Sequence, residues 1–243
     1  MHYRQESDSI GTLSVPQEAY YGVQSLRGHD NFQITGQRLR PEFIESMAQI
    51  KKACAICNHA VAQLDGDIMQ AICNACDDIL EGRLHDQFIC DPIQGGAGTT
   101  ANMNANEVIA NRAIELLGGT KGDYSVVHPN DHVNRAQSTN DVIPTAAKVT
   151  AAKLLKKAIV QLERLHEALQ KKEKEFHNVI KMGRTQMQDA VPIRLGAEFG
   201  AYAQAVSRDI LRLNRALREM YSINLGGTAI GTALNADPAY VAA

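Results

Sequence analysis

The sequence predicts a mainly α-helical protein, and the main evidence is the spacing of its apolar residues. In two long segments, from about Thr139 to His177 and from Leu195 to Met220, apolar side chains recur every three or four residues. Strand signals are scarce, and polar connections that contain glycine separate the helical stretches. Helices of about 30 residues are about 45 Å long, which is typical of a helical bundle. Two such helices leave much apolar surface uncovered, so we expect other chains or further sequence to complete the bundle.

Composition predicts a folded chain without a general affinity for polyanions. Of the 243 residues, 44% are apolar and 21% are charged, and the net charge is −2. This charge provides no general attraction for nucleic acid or for an anionic membrane, whereas a small polar or anionic metabolite is compatible with it. The sequence shows no apolar segment that resembles a signal peptide or a membrane span. We therefore expect a cytoplasmic protein. The number of cysteines, five, is odd, which argues against a disulfide framework and favours reduced thiols.

Two domains are predicted. Residues 1–138 form an N-terminal helical domain, and residues 139–243 form the beginning of a bundle domain. The first forty residues, including Ile10 to Val15, are expected to be irregular or to contain a short hairpin. Proline suits a first helical turn and glycine a helix end. On these signals and on apolar spacing, three helices are predicted before the bundle, at Pro41–Leu64, Asp67–Leu80 and Thr99–Leu117.

Four cysteines have a spacing that zinc-binding modules use. Cys54 and Cys57 are separated by two residues, as are Cys73 and Cys76, and fifteen residues lie between the two pairs. However, both pairs lie on predicted helices, and neither has the glycine or proline of a zinc-binding turn. We therefore favour small buried cysteines between two helices, with a zinc site as the alternative.

Three polar segments are of interest because each lies where a predicted helix begins. In the first, Gln94–Thr100, glycine lets the backbone approach a ligand closely. Thr99 adds a hydroxyl next to unpaired amides and the positive end of the helix dipole, which suits a carboxylate. The alternative is a glycine-rich turn with a threonine cap. The segment matches neither a Walker A loop nor a complete dinucleotide-binding fingerprint, so nucleotide binding is not supported.

The second polar segment runs from His128 to Asp141 and the third from Gly183 to Pro192. Two histidines four residues apart are compatible with a metal site, but Pro129 disfavours a continuous helix and no third ligand is evident. A cap by Ser138 or Thr139 is the structural alternative for the second segment. A polar loop between helices is the alternative for the third.

Taken together, these segments resemble the aspartase/fumarase superfamily. The resemblance covers essentially the whole chain and is carried by Gly11–Pro16, Ala19–Gln24, Gly95–Thr99, Gln137–Asp141 and Gly226–Thr232. The forms Gly-Gly-Ala-Gly-Thr and Gln-Ser-Thr-Asn-Asp, and Gln186 after Gly-Arg-Thr, look more like the aspartase branch than the fumarase branch. A fumarase-type hydratase is therefore the second choice.

The resemblance implies a fumarase/aspartase-like fold and reversible deamination of L-aspartate to fumarate and ammonium. By resemblance, the reacting carboxylate is bound by Thr99, Ser138 and Thr139. The ammonium and the other carboxylate are surrounded by Asn140, Thr185 and Gln186, and a secondary carboxylate pocket is formed by His128, Asn130 and Asp131. No organic cofactor and no metal ligand is implied, although some aspartases respond to divalent metal ions.

The family also implies parts that this sequence does not contain. Intact members are roughly twice as long, form homotetramers and combine residues from three subunits in each active site. Their Gly-Ser-Ser loop carries the serine proposed as the base, and this sequence has no Ser-Ser pair. We therefore expect the chain alone to be inactive and to need a missing C-terminal half. The alternative is a non-catalytic helical module, either a truncated relative or a zinc-stabilised assembly protein.

Overall fold

The structure, a computed structural model, describes residues 2–243 as two compact units. The first unit comprises the chain up to Thr150 together with Ile223–Ala243, and the second is Ala151–Ser222. The predicted division after residue 138 stays a prediction. The mainly helical fold class is confirmed, because helices dominate and only two small two-stranded sheets are present among residues 2–243.

The first unit begins with an antiparallel hairpin, which confirms one of the two expectations for the N-terminus. Strand β1 (Tyr3–Ser7) pairs with β2 (Thr12–Pro16), with Tyr3 opposite Pro16 and Ser7 opposite Thr12. Helix α1 (Val23–Asn31), which the sequence did not predict, follows. The guanidinium of Arg4 ties the hairpin to the segment before α1 by donating to the backbone oxygens of Pro16, Gln17, Ala19 and Tyr21.

Three helices form the core of the first unit: α2 (Pro41–Ala60), α3 (Gly66–Leu80) and α4 (Thr99–Leu116). α2 ends four residues before the predicted limit at Leu64, because the chain turns at Ala62, which has a φ of 58°. Asp65 then caps α3 by accepting from two backbone amides. Between the helices lie closely packed apolar side chains, among them Ile44, Met47, Ile72, Ile79, Val108 and Ile109.

Two cysteines lie in this core, as the packing interpretation expects. Cys54 and Cys76 are buried in the apolar cluster, Cys73 is buried beside Met69, and Cys57 is partly buried. Burial raises the pKa of the Cys54 thiol to about 11 and raises that of Cys76 further, which disfavours the thiolate that zinc binds. Among residues 2–243, no three His, Cys, Asp or Glu side chains are placed to hold a metal ion.

The second unit contains an unpredicted β-hairpin. Helix α5 (Thr139–Glu175) starts in the first unit, and its larger part lies in the second. It is followed by β3 (Ile180–Thr185), β4 (Gln188–Arg194) and α6 (Leu195–Glu219). The polar loop given as the alternative for Gly183 to Pro192 is instead a hairpin, because the two strands pair in antiparallel register. The ring centroids of Phe176 and Phe199 lie 5.5 Å apart near the start of α6.

Much of the apolar stripe on the long helices is exposed. Tyr202 and Leu211 of α6 and Leu165 of α5 each expose about half of their surface. The chain ends in the first unit with the short helix α7 (Pro238–Ala242), whose Tyr240 is buried against the core. None of the helices within residues 2–243 has the length and apolarity that a membrane crossing requires.

Candidate functional site

The start of α4 lies directly against the start of α5. Gly98, the residue before α4, has a φ of 90°, and a Cβ atom there would lie 3.1 Å from the side chain of Ile143 on α5. Glycine is needed both for this left-handed conformation and for the close approach. Thr99 is the first residue of α4 and is exposed, and none of the hydrogen bonds described for residues 2–243 uses its hydroxyl.

We expect Gly98→Ala to destabilise the chain more than Gly82→Ala. Both glycines have positive φ, but a Cβ at Gly82 would meet nothing within 4 Å. Strain alone costs about 1 kcal/mol at Gly82, and the contact with Ile143 adds about 1 kcal/mol at Gly98. Urea denaturation of the two variants measures the difference, and equal losses of stability would contradict the close packing of α4 on α5.

Two side-chain hydroxyls at the start of α5 accept hydrogen bonds from neighbouring amides. Ser138 Oγ accepts from the amide of Asn140 at 3.3 Å, and Thr139 Oγ1 accepts from Asn102 Nδ2 at 3.2 Å. In the described hydrogen bonds neither hydroxyl acts as a donor. The capping alternative for Ser138 is therefore correct, yet it leaves both O–H groups available to an anion at the positive end of the helix.

A loop from the end of the first unit is fastened to the same helix start. The loop Gly226–Gly231 is held by Asp141 Oδ2, which accepts from the Thr228 amide at 3.0 Å. Asn140 Nδ2 donates to the Ala229 oxygen at 2.7 Å, and Asn224 Nδ2 donates to the Asn140 oxygen at 3.0 Å. The Oδ1 of Asn140 takes part in none of the described hydrogen bonds, so an acceptor that suits an ammonium group is available there.

Asp141 lies in this candidate site but was not predicted from the sequence. Its carboxylate is fully buried, and Oδ1 accepts from the Ser138 amide at 2.8 Å while Oδ2 holds Thr228. It therefore fixes both the cap of α5 and the neighbouring loop. An acidic residue three positions after a serine cap is the pattern of a capping box. This spacing is the sequence signal that could have identified Asp141.

Buried polar side chains lie beneath the turn that precedes α5. Asn102 Nδ2 donates to Asn134 Oδ1 as well as to Thr139 Oγ1, each at 3.2 Å. Lys51 of α2 is fully buried, and its Nζ donates to Asn134 Oδ1 at 2.7 Å and to Gln137 Oε1 at 2.9 Å. Burial lowers the pKa of Lys51 to about 7. Neither Asn102 nor Lys51 was found from the sequence, since only the fold brings them to this turn.

The proposed secondary carboxylate residues form a separate turn. Pro129–Val133 is a single π-helical turn, and His128 Nδ1 caps it by accepting from the amides of Asn130 at 3.2 Å and Asp131 at 3.1 Å. His132 Nδ1 accepts from the His128 amide at 2.9 Å. Burial, together with His128, lowers the pKa of His132. Because Nδ1 of His128 is occupied, Nε2 is the atom that this histidine can offer to a ligand.

Two cavities adjoin this π-helical turn. One, of about 970 Å³, is lined by His128, Asn130 and Thr100 together with residues of the N-terminal hairpin and α1. The other, of about 600 Å³, is lined by Asn130, Asp131 and Gln137, among others. Neither cavity is lined by Thr99, Ser138 or Thr139. The structure thus brings Ser138, Thr139 and Asn140 together beside the start of α4, and places His128, Asn130 and Asp131 along neighbouring cavities.

Thr185 and Gln186 lie in the second unit, at the tip of its hairpin. Thr185 pairs with Gln188, and the two residues between them, Gln186 and Met187, have φ values of 50° and 61°. Two positive φ angles in succession define a type I′ turn, which side chains other than glycine and asparagine adopt with strain. Both Thr185 and Gln186 are exposed. Their participation in a common site with Thr99 stays a prediction.

Comparison with known proteins assigns the family. A family model described as lyase matches residues 11–243. The chain belongs to this lyase family. Among curated relatives of this lyase-family chain, the aspartate ammonia-lyase of Bacillus subtilis is 53% identical over 98% of the chain, and that of Escherichia coli is 44% identical over 98%. The chain spans about half the length of these relatives. The resemblance stated from the sequence is thereby confirmed.

Solved structures of lyases share the fold. A structure of fumarate lyase:delta crystallin from Brucella melitensis bound to cobalt is 48% identical, with a TM-score of 0.94 over 98% of this chain and 52% of that one. A class II fumarase from Schistosoma mansoni is 37% identical, with a TM-score of 0.92 over 98% of this chain and 50% of that one. The predicted fumarase/aspartase-like fold is confirmed.

Proposed function

We propose that this chain supplies the N-terminal part of an aspartate ammonia-lyase, which reversibly converts L-aspartate to fumarate and ammonium. The observation that carries the proposal is the cluster of uncommitted hydroxyl donors at two adjoining helix starts. Thr99 begins α4, Ser138 caps α5 and Thr139 begins it. Relatives that are named aspartate ammonia-lyase and are about 50% identical in sequence support the choice of reaction.

The arrangement suits the most difficult step of such an elimination. Removal of the proton next to a carboxylate makes that carboxylate a doubly charged, enolate-like group before the amine leaves. Donors that are already oriented toward this position lower the barrier, because they need not reorganise as the charge develops. The hydroxyls of Ser138 and Thr139 are held by their acceptor contacts and lie at the positive end of a helix dipole. We assign them, with Thr99, to the reacting carboxylate.

The remaining roles follow the available atoms and the family resemblance. Asn140 offers its Oδ1 to the substrate ammonium, while its Nδ2 is held by Ala229. Thr185 and Gln186 are proposed to contact the ammonium or the second carboxylate, and this role rests on the resemblance alone. His128, Asn130 and Asp131 are proposed as a secondary carboxylate pocket, supported by the cavities that they line.

The base is not assigned to any residue of this chain. We propose that a serine of a Gly-Ser-Ser loop, a motif absent from this sequence, removes the proton. By the same resemblance we propose a homotetramer that acts in the cytoplasm and binds only small molecules, with no organic cofactor. Activation by divalent metal ions is proposed on the same resemblance, since some aspartases respond to them.

Complementation tests this proposal. We expect the chain alone to produce no fumarate from L-aspartate, measured by ultraviolet absorbance, because the base is lacking. We expect turnover when the C-terminal portion of the Bacillus subtilis relative is produced separately and added. That relative is 53% identical to this chain over the region that the two share. Activity with malate but not aspartate would indicate a fumarase. Turnover by the chain alone would contradict the assignment of the base, and inactivity of the mixture would favour a non-catalytic module.

A further inference from the structure

Lys51 carries a fully buried amino group without a carboxylate partner in hydrogen-bonding range. Its exposed fraction is 0%, and none of the ion pairs found among residues 2–243 includes it. Its two acceptors, Asn134 Oδ1 at 2.7 Å and Gln137 Oε1 at 2.9 Å, are neutral amides. Burial of an unpaired ammonium is costly, and proteins that keep such a group commonly use it at a functional site.

The contacts of Lys51 lead to the hydroxyl cluster by two short routes. Gln137 directly precedes Ser138, and its Nε2 donates to the oxygens of Val133 and Arg135, which fixes the turn before α5. Asn134 accepts from Asn102, and the same Asn102 amide donates to Thr139 Oγ1. Lys51 is thus separated from the hydroxyls by no more than two side chains, all of them neutral.

One carboxylate near Lys51 offsets part of its positive charge without hydrogen-bonding to it. Asp141 of α5 interacts with it electrostatically, but the Asp141 carboxylate is already held by two backbone amides. Cys54 on the same helix and Cys76 on α3 are neutral thiols, because burial raises the pKa of both. Burial also raises the pKa of Tyr240 on α7, which adjoins Cys54, so Tyr240 is neutral too. The π-helical turn packs against α2, which carries Lys51, and its titratable groups are His128, Asp131 and His132.

We propose that Lys51 is a positioning residue of the dicarboxylate site. Lys51 fixes the turn that carries Ser138 and Thr139, and it takes up a proton when a dicarboxylate binds to these hydroxyls. This inference rests on the proposed function, because it presupposes that the hydroxyl cluster binds a dianion. Lys51 does not touch the substrate. It acts through Asn134, Gln137 and Asn102, and through its charge.

The two parts of this role are separable by pH. A neutral amine has two N–H donors, so Lys51 keeps both hydrogen bonds in either protonation state. Only its charge changes. A pKa near 7 leaves Lys51 partly neutral at pH 7.5 in the free protein, and a dianion nearby favours the charged form. Binding therefore draws a proton from the buffer, and affinity falls as pH rises above about 7, by up to tenfold per pH unit.

Fold stability has the opposite pH dependence. The folded state releases the Lys51 proton near pH 7, whereas the unfolded chain keeps it up to the ordinary lysine pKa of 10.5. Between these values the unfolded state binds more protons, so the Lys51 contribution to stability increases with pH. A residue with a merely structural role produces no change in proton uptake on ligand binding.

Titration calorimetry with fumarate in buffers of different ionisation enthalpy tests the inference. It is performed on the chain alone and on the chain mixed with the C-terminal portion, using whichever preparation binds. At pH 7.5 we expect net proton uptake by the unsubstituted protein. Lys51→Met is expected to abolish the uptake, to flatten the pH dependence and to weaken binding about tenfold at pH 6.5. Lys52→Met is the matched control, because the partly exposed Lys52 pairs with Asp77 at 2.6 Å.

A measurement on the unsubstituted protein avoids any folding defect of the variants. With lysines labelled by ¹³C at Cε, we expect one resonance to titrate near pH 7 and to move to a higher midpoint when fumarate is added. Normal titration of every lysine, or uptake that persists in Lys51→Met and so comes from a group such as His132, would overturn the inference. Absence of fumarate binding in both preparations would instead overturn the proposed function.

Discussion

Replacement of Thr139 by valine is expected to lower fumarate production in the complemented enzyme by about a hundredfold. Valine has the shape of threonine but lacks the O–H that we assign to the reacting carboxylate. Asn102 Nδ2 loses Thr139 Oγ1 as an acceptor and keeps Asn134 Oδ1, so the turn retains one of its two contacts. Because the lost interaction is strongest in the transition state, kcat is expected to fall more than the affinity for aspartate.

Thr145→Val is the matched control on the same helix. Thr145 is buried, and its hydroxyl has no hydrogen-bond partner among the described residues. We expect this variant to keep the activity of the unsubstituted chain and to be at least as stable, since it removes a buried unpaired hydroxyl. Equal activity of the Thr139 and Thr145 variants in the aspartate assay would contradict the role assigned to Thr139.

Asp141→Asn is expected to lower the free energy of unfolding by about 2 to 3 kcal/mol. The buried carboxylate accepts from two backbone amides, those of Ser138 and Thr228, through its two oxygens. An asparagine has a single oxygen, so one of these amides faces an NH₂ group and loses its acceptor. Urea denaturation followed by circular dichroism measures the loss. We also expect activity to fall, because the cap of α5 and the Gly226–Gly231 loop lose their common anchor.

Asp65→Asn serves as the control for this charge removal. Asp65 caps α3 through its Oδ1, which accepts from Asp67 and Ile68, but it is exposed. Asparagine caps helices about as well as aspartate, so we expect a change of no more than about 0.5 kcal/mol. A similar loss of stability in both variants would show that Asp141 is an ordinary cap rather than the anchor of two segments.

The helices could be predicted because their signals are local. Periodic apolar residues located α2, α3, α4, α5 and α6, and their observed limits differ from prediction by at most a few residues. The hairpin of the second unit could not be predicted in this way. Its register depends on pairing across a type I′ turn at Gln186 and Met187, which are poor residues for that turn. Helix α1 was missed for a similar reason, because it is anchored by a distant carboxylate, Glu107, which accepts from several groups of its first turn.

The candidate site was only partly predictable for the same physical reason. Thr99, Ser138 and Thr139 lie at helix starts, where sequence signals are strong, and their neighbourhood in space follows from the contact between Gly98 and Ile143. Lys51 lies 87 residues before Ser138 in a helix of ordinary pattern, so nothing local marks it as part of the site. Burial and long-range hydrogen bonds, which define its role, exist only in the fold.

A crystal structure of the complemented protein with bound fumarate tests the central claim most directly. The account predicts one fumarate carboxylate with oxygens about 3 Å from the hydroxyl oxygens of Ser138 and Thr139, at the start of α5. Fumarate found only beside His128 in the 970 Å³ cavity, with both hydroxyls unoccupied, would contradict it.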